Sequence, residues 1–106
     1  MLLPAVTALS ADAAAERYAD CARAMGVAGA ADPASVAIRK LVDGLYRRNQ
    51  ELQVPSPKQY GIREQQYFDS IPVMAAQALA SGSPQNNPRI PTADEIAQLY
   101  RRQVWA

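Results

Sequence analysis

Few side chains in this 106-residue sequence can do chemistry, and their spacing gathers them nowhere. There is one thiol, Cys21, and there is no histidine. Histidine is the commonest metal ligand and the commonest proton shuttle near neutral pH, so a zinc or iron site would need carboxylates almost alone. The 10 acidic residues are scattered, with no Glu-x-x-His pair of the kind that builds a metal site on facing helices. Redox or hydrolytic chemistry by this chain on its own is not expected. No catalytic, cofactor-binding or metal-ligating residue is assigned within it.

The remaining candidates have plain structural readings. Cys21 falls at the edge of an alanine-rich stripe, where a buried, inert thiol is expected. Tyr60, Tyr67 and Phe68 are expected in a core, since no basic groove accompanies them as a base-stacking platform requires. Arg47-Arg48 and Arg101-Arg102 read as solvated helix faces near helix C-termini, where cations are favoured. The stretch from Ser81 to Thr92, SGSPQNNPRIPT, has one large apolar residue, Ile90, and lacks the glycine spacing of a phosphate loop. Pro84, Pro88 and Pro91 each fix φ near −65°, which predicts a stiff loop rather than a linker.

Bulk composition sets the class. Hydrophobic residues make up 49% and charged residues 20%, with a net charge of +1, as in a soluble globular protein. The length is that of a single domain, residues 1–106, with a thin core. Interleaved charges predict no nucleic-acid partner and no membrane partner. The opening MLLPAVTALSADAAA lacks the basic start of a signal peptide, and one cysteine excludes an internal disulfide. A cytoplasmic location is the expectation that follows.

Apolar residues recur at helical spacing nearly throughout, and no segment alternates as a strand does. The fold class predicted is all-α, with five or six short helices. Leu2, Leu3, Val6 and Leu9 mark the first, with Pro4 in its opening turn. Asp12 is placed as the cap of the second, whose stripe is Ala15, Tyr18, Ala19, Ala22 and Met25, with Gly26 as its stop. Asp32 as cap and Pro33 as first residue predict a third helix to about Glu51, with Ile38, Leu41, Val42 and Leu45 inward. Gly44 in its middle costs about 1 kcal/mol against alanine, which points to close packing on a neighbouring helix. Val54-Pro55-Ser56-Pro57 ends that helix and Tyr60-Gly61-Ile62 is a turn. Glu64 to Ala80 is predicted helical in two pieces, divided by Pro72 with Ser70 capping the second. Thr92 and Glu95 form a capping box for the last helix, which bears Ile96, Leu99, Tyr100, Val104 and Trp105.

With those elements in place, the sequence resembles the C-terminus of the iron-containing (group III) alcohol dehydrogenases. The resembling motifs are Asn87-Pro88-Arg89, Pro91-Thr92, Asp94-Glu95-Ile96 and Leu99-Tyr100. Upstream, Leu2-Leu3-Pro4, Glu16-Arg17-Tyr18-Ala19, Met25-Gly26-Val27, Val54-Pro55 and Tyr60-Gly61-Ile62 also fit the family pattern. The likeness covers essentially the whole chain.

The resemblance implies a helical portion of a two-domain enzyme that interconverts alcohols and aldehydes with NAD(P) and a divalent metal, iron or zinc. In that family one aspartate and three histidines hold the metal, and the nucleotide sits in an N-terminal α/β domain. None of those ligands maps onto this chain, which is therefore expected to complete the cleft of a full enzyme and to be inactive alone. By position in the family, Ser83, Asn86 and Asn87 are the residues implied to line the substrate cleft. Expected partners are the N-terminal portion of such an enzyme, or a second copy meeting it through exposed apolar helix faces. The alternative is a free-standing helical interaction module that self-associates or pairs with a separate chain.

Overall fold

The computed structural model describes residues 1–106. It contains helices and turns and no strand, so the chain is all-α. Six α-helices occur in order: α1 Leu3–Ser10, α2 Ala15–Ala24, α3 Ala34–Glu51, α4 Pro57–Tyr60, α5 Glu64–Ala80 and α6 Ala93–Leu99. Short 3₁₀ turns cover Ala11–Ala14 and Ser83–Asn86, and a π-helical turn covers Tyr100–Val104. No helix is long and apolar enough to cross a membrane. The backbone gathers into two compact units, Leu2–Val54 and Pro55–Ala106, the second also taking in Met1.

In the unit Leu2–Val54, α2 lies along α3, and α1 also packs on α3. Ala19 and Ala22 of α2 and Ala37 of α3 are fully buried and meet Leu41, which is 3% exposed. Methyl-sized side chains at a shared seam let two backbones approach closely, so the interface is flat rather than interlocked. Tyr18, Val27, Ala34 and Leu45 complete the cluster at its margins. Gly44 does face a close neighbour, though not another helix. A Cβ built there would lie 3.1 Å from Cγ1 of Val27, in the segment that follows α2.

The ends of these helices depart from the sequence expectation in instructive ways. Asp12 does not cap α2: it lies within the 3₁₀ turn, and Ala14 stands at the N-cap with no side-chain hydrogen bond. Met25 ends α2 at its C-cap and is exposed, outside the stripe assigned to it; Gly26 then takes φ 74° and turns the chain. Pro33 is the N-cap of α3 rather than its first residue, with φ −58° and ψ 154°. Asp32 is thereby free for other work. Its Oδ2 accepts from the Gly29 N–H and from Lys40 Nζ, both at 2.8 Å, while Arg23 donates to its main-chain oxygen at 2.9 Å. One residue thus fastens α2, the connecting segment and α3 together.

The Lys40 hydrogen bond, then the Gly29 N–H, hold the Asp32 carboxyl below its ordinary 3.8. A depressed carboxylate stabilises the fold above its unfolded value, and that contribution disappears as pH falls through the folded value. The stability difference between the native chain and Asp32→Asn should therefore be constant above about pH 5 and shrink below about pH 4. Urea unfolding at a series of pH values checks this; a difference that grows on acidification contradicts it.

In the unit Pro55–Ala106, α5 supplies the spine. It runs unbroken through Pro72, against the expectation of two pieces, and Ser70 is not a cap. The Ser70 hydroxyl instead donates to the Gln66 carbonyl one turn back at 2.7 Å. Pro72 lacks the N–H that would bond the Phe68 carbonyl, but Tyr67, Ile71 and Ala75 form one buried line at a spacing of four and carry the helix across the gap. Pro72 itself is exposed. Pro72→Ala should restore one helix bond without disturbing a buried contact and raise stability by about 1–3 kcal/mol. Equilibrium unfolding reads the gain, and a loss of stability would show that the proline is needed where it stands.

α4 is a single turn that the sequence reading passed over. Ser56 and Gln59 form a complete capping box, with Pro57 in the first turn and Gly61 closing it at φ 95°. The Lys58 N–H donates to the Trp105 carbonyl at 3.3 Å and ties this turn to the C-terminal segment. Tyr67, Phe68 and Trp105 stack together, with Tyr67 and Trp105 centroids 4.9 Å apart. Tyr67 joins the core as expected and Phe68 is half-buried, but Tyr60 is 75% exposed, so the core role given to it is wrong. Tyr60 sits beside the Gly61 turn, where no helix covers its ring.

Candidate functional site

α5 ends at Ala80, and the loop carrying the three expected cleft residues begins there. The Ser81 hydroxyl donates to the Ala78 carbonyl at 2.6 Å and accepts from the Ser83 N–H at 3.3 Å. Gly82 adopts φ 79°, a left-handed conformation costly for any other residue, and redirects the chain. Ser83–Asn86 then form a 3₁₀ turn opened by Pro84, and the Asn87 N–H donates back to the Pro84 carbonyl at 3.1 Å. Ser83, Asn86 and Asn87 therefore belong to one continuous turn. The side chains of Ser83 and Asn86 are exposed, and Asn87 is half-buried.

The far end of the loop is organised by α6. Thr92 Oγ1 accepts from the Glu95 N–H at 3.2 Å, and Glu95 Oε2 accepts from the Thr92 N–H at 2.9 Å, the capping box expected from the sequence. The other carboxylate oxygen, Oε1, accepts from Arg89. That bond lay outside the sequence reading, although an arginine six residues before a capping glutamate was its available signal. Pro91 and Ile96 are buried and seat the start of α6.

The arrangement offers a hydroxyl and two carboxamides, all neutral donors and acceptors. It suits hydrogen bonding to a small polar ligand, and none of the three side chains carries a charge near neutral pH. A separate open concavity of about 820 Å³ runs beside α5, lined by Arg63, Gln66, Asp69, Ser70, Val73 and Met74 among others; none of the three loop residues lines it. Cys21 is exposed rather than buried, because it stands one position, about 100° of helix rotation, from the buried Ala22. Arg47, Arg48, Arg101 and Arg102 are exposed as expected, and Arg48 pairs with Glu51 at 2.9 Å. No group of three or more His, Cys, Asp or Glu side chains converges so as to hold a metal ion, so these residues do not themselves fit the divalent metal that the resemblance implies.

Residues 1–104 match the family model described as Fe-containing alcohol dehydrogenase family, C-terminal. Among curated proteins, the chain is 32% identical over 101 residues to a lactaldehyde reductase of Escherichia coli (strain K12), covering 94% of this chain and 25% of that protein. It is 27% identical over 99 residues to an NADPH-dependent butanol dehydrogenase of Clostridium saccharobutylicum, covering 92% of this chain and 25% of the relative. The chain thus spans about a quarter of the length of these relatives. No solved structure gives a significant match. With the family match running through all six helices and the 81–92 loop, the chain belongs to the Fe-containing alcohol dehydrogenase family and corresponds to its C-terminal part.

Proposed function

We propose that these 106 residues serve as part of the helical domain of an NAD(P)-linked alcohol/aldehyde oxidoreductase, completing its substrate cleft and having no turnover alone. The observation that carries this is the family match over residues 1–104, together with two relatives about four times as long, named as a reductase and a dehydrogenase. On this reading the 81–92 loop is the cleft wall, and Ser83, Asn86 and Asn87 present hydrogen-bonding groups to the substrate. The metal ligands and the nucleotide site come from the rest of the family's polypeptide, and the natural partner is that portion. Residues 1–106 then act as one partial domain.

The test is an assay in two arms. The purified chain, given Fe²⁺ or Zn²⁺, NAD⁺ or NADP⁺ and 1-butanol, should show no reduction of the nucleotide above background. Assembled with the remaining three quarters of a family polypeptide, it should support turnover. Activity in the first arm, or none in the second despite a stable complex, contradicts the proposal.

A second reading is favoured by Leu3, Leu52, Val73 and Ile90, which are 58–66% exposed. Leu3 and Leu52 lie in the unit Leu2–Val54, and Val73 and Ile90 in Pro55–Ala106; on this reading they are covered by a second copy or another chain, and the chain acts as a helical interaction module. Light scattering decides it, since a monomer across the micromolar range counts against self-association.

A further inference from the structure

The loop that bears Ser83, Asn86 and Asn87 is fastened at both ends by side chains, and the downstream fastening exceeds what helix capping needs. A capping box uses one carboxylate oxygen, here Glu95 Oε2 on the Thr92 N–H. Glu95 spends its second oxygen on Arg89, which closes a ring around residues 89–95 across Pro91. Upstream of that ring, Pro88 has a fixed φ and the Asn87 N–H is bonded to Pro84. Few free torsions separate Ser83 from Arg89, so pinning Arg89 pins the turn that carries the three polar side chains.

We propose that the Arg89–Glu95 pair is a positioning clasp, which holds the Ser83–Asn87 turn in a single shape before substrate arrives. This rests on the reading that the loop walls the cleft. The side chains are 47% and 33% exposed, so the pair adds little to global stability. Its effect is local order, and a loop ordered in advance avoids an entropic cost at the moment of binding. Arg89 is a positioning residue and touches no reacting atom.

The experiment follows the Asn87 amide, whose bond to Pro84 closes the turn, by hydrogen exchange in the 106-residue chain. Arg89→Ala should speed its exchange about three- to fivefold, the effect of losing one exposed charge-assisted pair, with Tm lowered by less than about 4 °C. Arg89→Lys, which keeps the charge, should restore exchange to within about twofold of the native rate. Glu95→Gln keeps the capping box but loses the ion pair, so Asn87 should exchange faster while the Thr92 amide stays protected. Unchanged Asn87 exchange in Arg89→Ala overturns the clasp, and so does acceleration that spreads evenly over all amides with a large fall in Tm. In the assembled enzyme, Arg89→Ala should raise KM for 1-butanol with kcat nearly unchanged. Faster exchange with an unchanged KM supports the clasp and overturns the placement of its loop at the cleft, so the two ideas fail separately.

Discussion

Tyr67→Ala should cost about 3–5 kcal/mol, the largest loss expected from a single side chain in this protein. Tyr67 is 6% exposed, its ring lies 5.6 Å from Phe68 and 4.9 Å from Trp105, and its hydroxyl donates to the Tyr100 carbonyl at 3.0 Å. Truncation removes the buried ring, leaves two aromatic neighbours facing a void and strips a partner from the π-helical turn. Tyr67→Phe separates these contributions, since it keeps the ring and should cost only about 1 kcal/mol for the lost hydrogen bond. Burial, with Tyr100 nearby, also lifts the Tyr67 phenol above its ordinary 10.0. A raised acid of this kind leaves stability unchanged below the unfolded value and lowers it as pH rises beyond about 10. Tyr67→Phe should lack that alkaline decline. Urea titrations at pH 7 and pH 10.5 read both effects, and equal losses for the Ala and Phe variants would contradict the ring-centred account.

Leu41→Ala should cost about 2–4 kcal/mol in the unit Leu2–Val54. Leu41 is the one long aliphatic side chain among the buried members of the cluster, against Ala19, Ala22 and Ala37. Those alanines have no side-chain length with which to fill a hole, so the cavity should stay largely open. The contrast is Leu52→Ala, where the side chain is 66% exposed and the change should stay within about 0.5 kcal/mol. If the two substitutions proved equal, the alanine seam would not be the core of this unit. Against a total stability of about 5–15 kcal/mol for a chain of this kind, either of the large losses should be visible as a fall in soluble yield.

Much of the fold was readable because local rules and tertiary packing agree. Thr92 and Glu95 announced α6, and Gly26 and Gly61 marked turns where the backbone does take positive φ. Where the reading failed, a long-range partner had overruled the local rule. Asp32 has the form of a cap, but Lys40, eight residues on, and the Gly29 N–H hold its carboxylate, so the helix starts without it. Pro72 has the form of a break, but the Tyr67, Ile71 and Ala75 line is buried on both sides of it. Ser56 and Gln59 obey the same rule as Thr92 and Glu95, yet the helix they open is four residues long, too short to leave a periodic signal. The candidate site was less legible. A serine and two amides follow no spacing rule, so Ser83, Asn86 and Asn87 rest on family resemblance, and the Arg89–Glu95 pair spans a loop in which a separation of six residues is only a faint signal.

The stacking of Trp105 on Tyr67 has a practical side. It is the sole tryptophan in the chain, and the sole cysteine, exposed Cys21, stands in the other unit. Nature has therefore installed two orthogonal reporters: an indole whose emission senses the state of Pro55–Ala106, and a thiol that accepts a dye without engineering and senses Leu2–Val54. Melting followed at the two wavelengths would reveal whether the halves lose their structure in one event or in two.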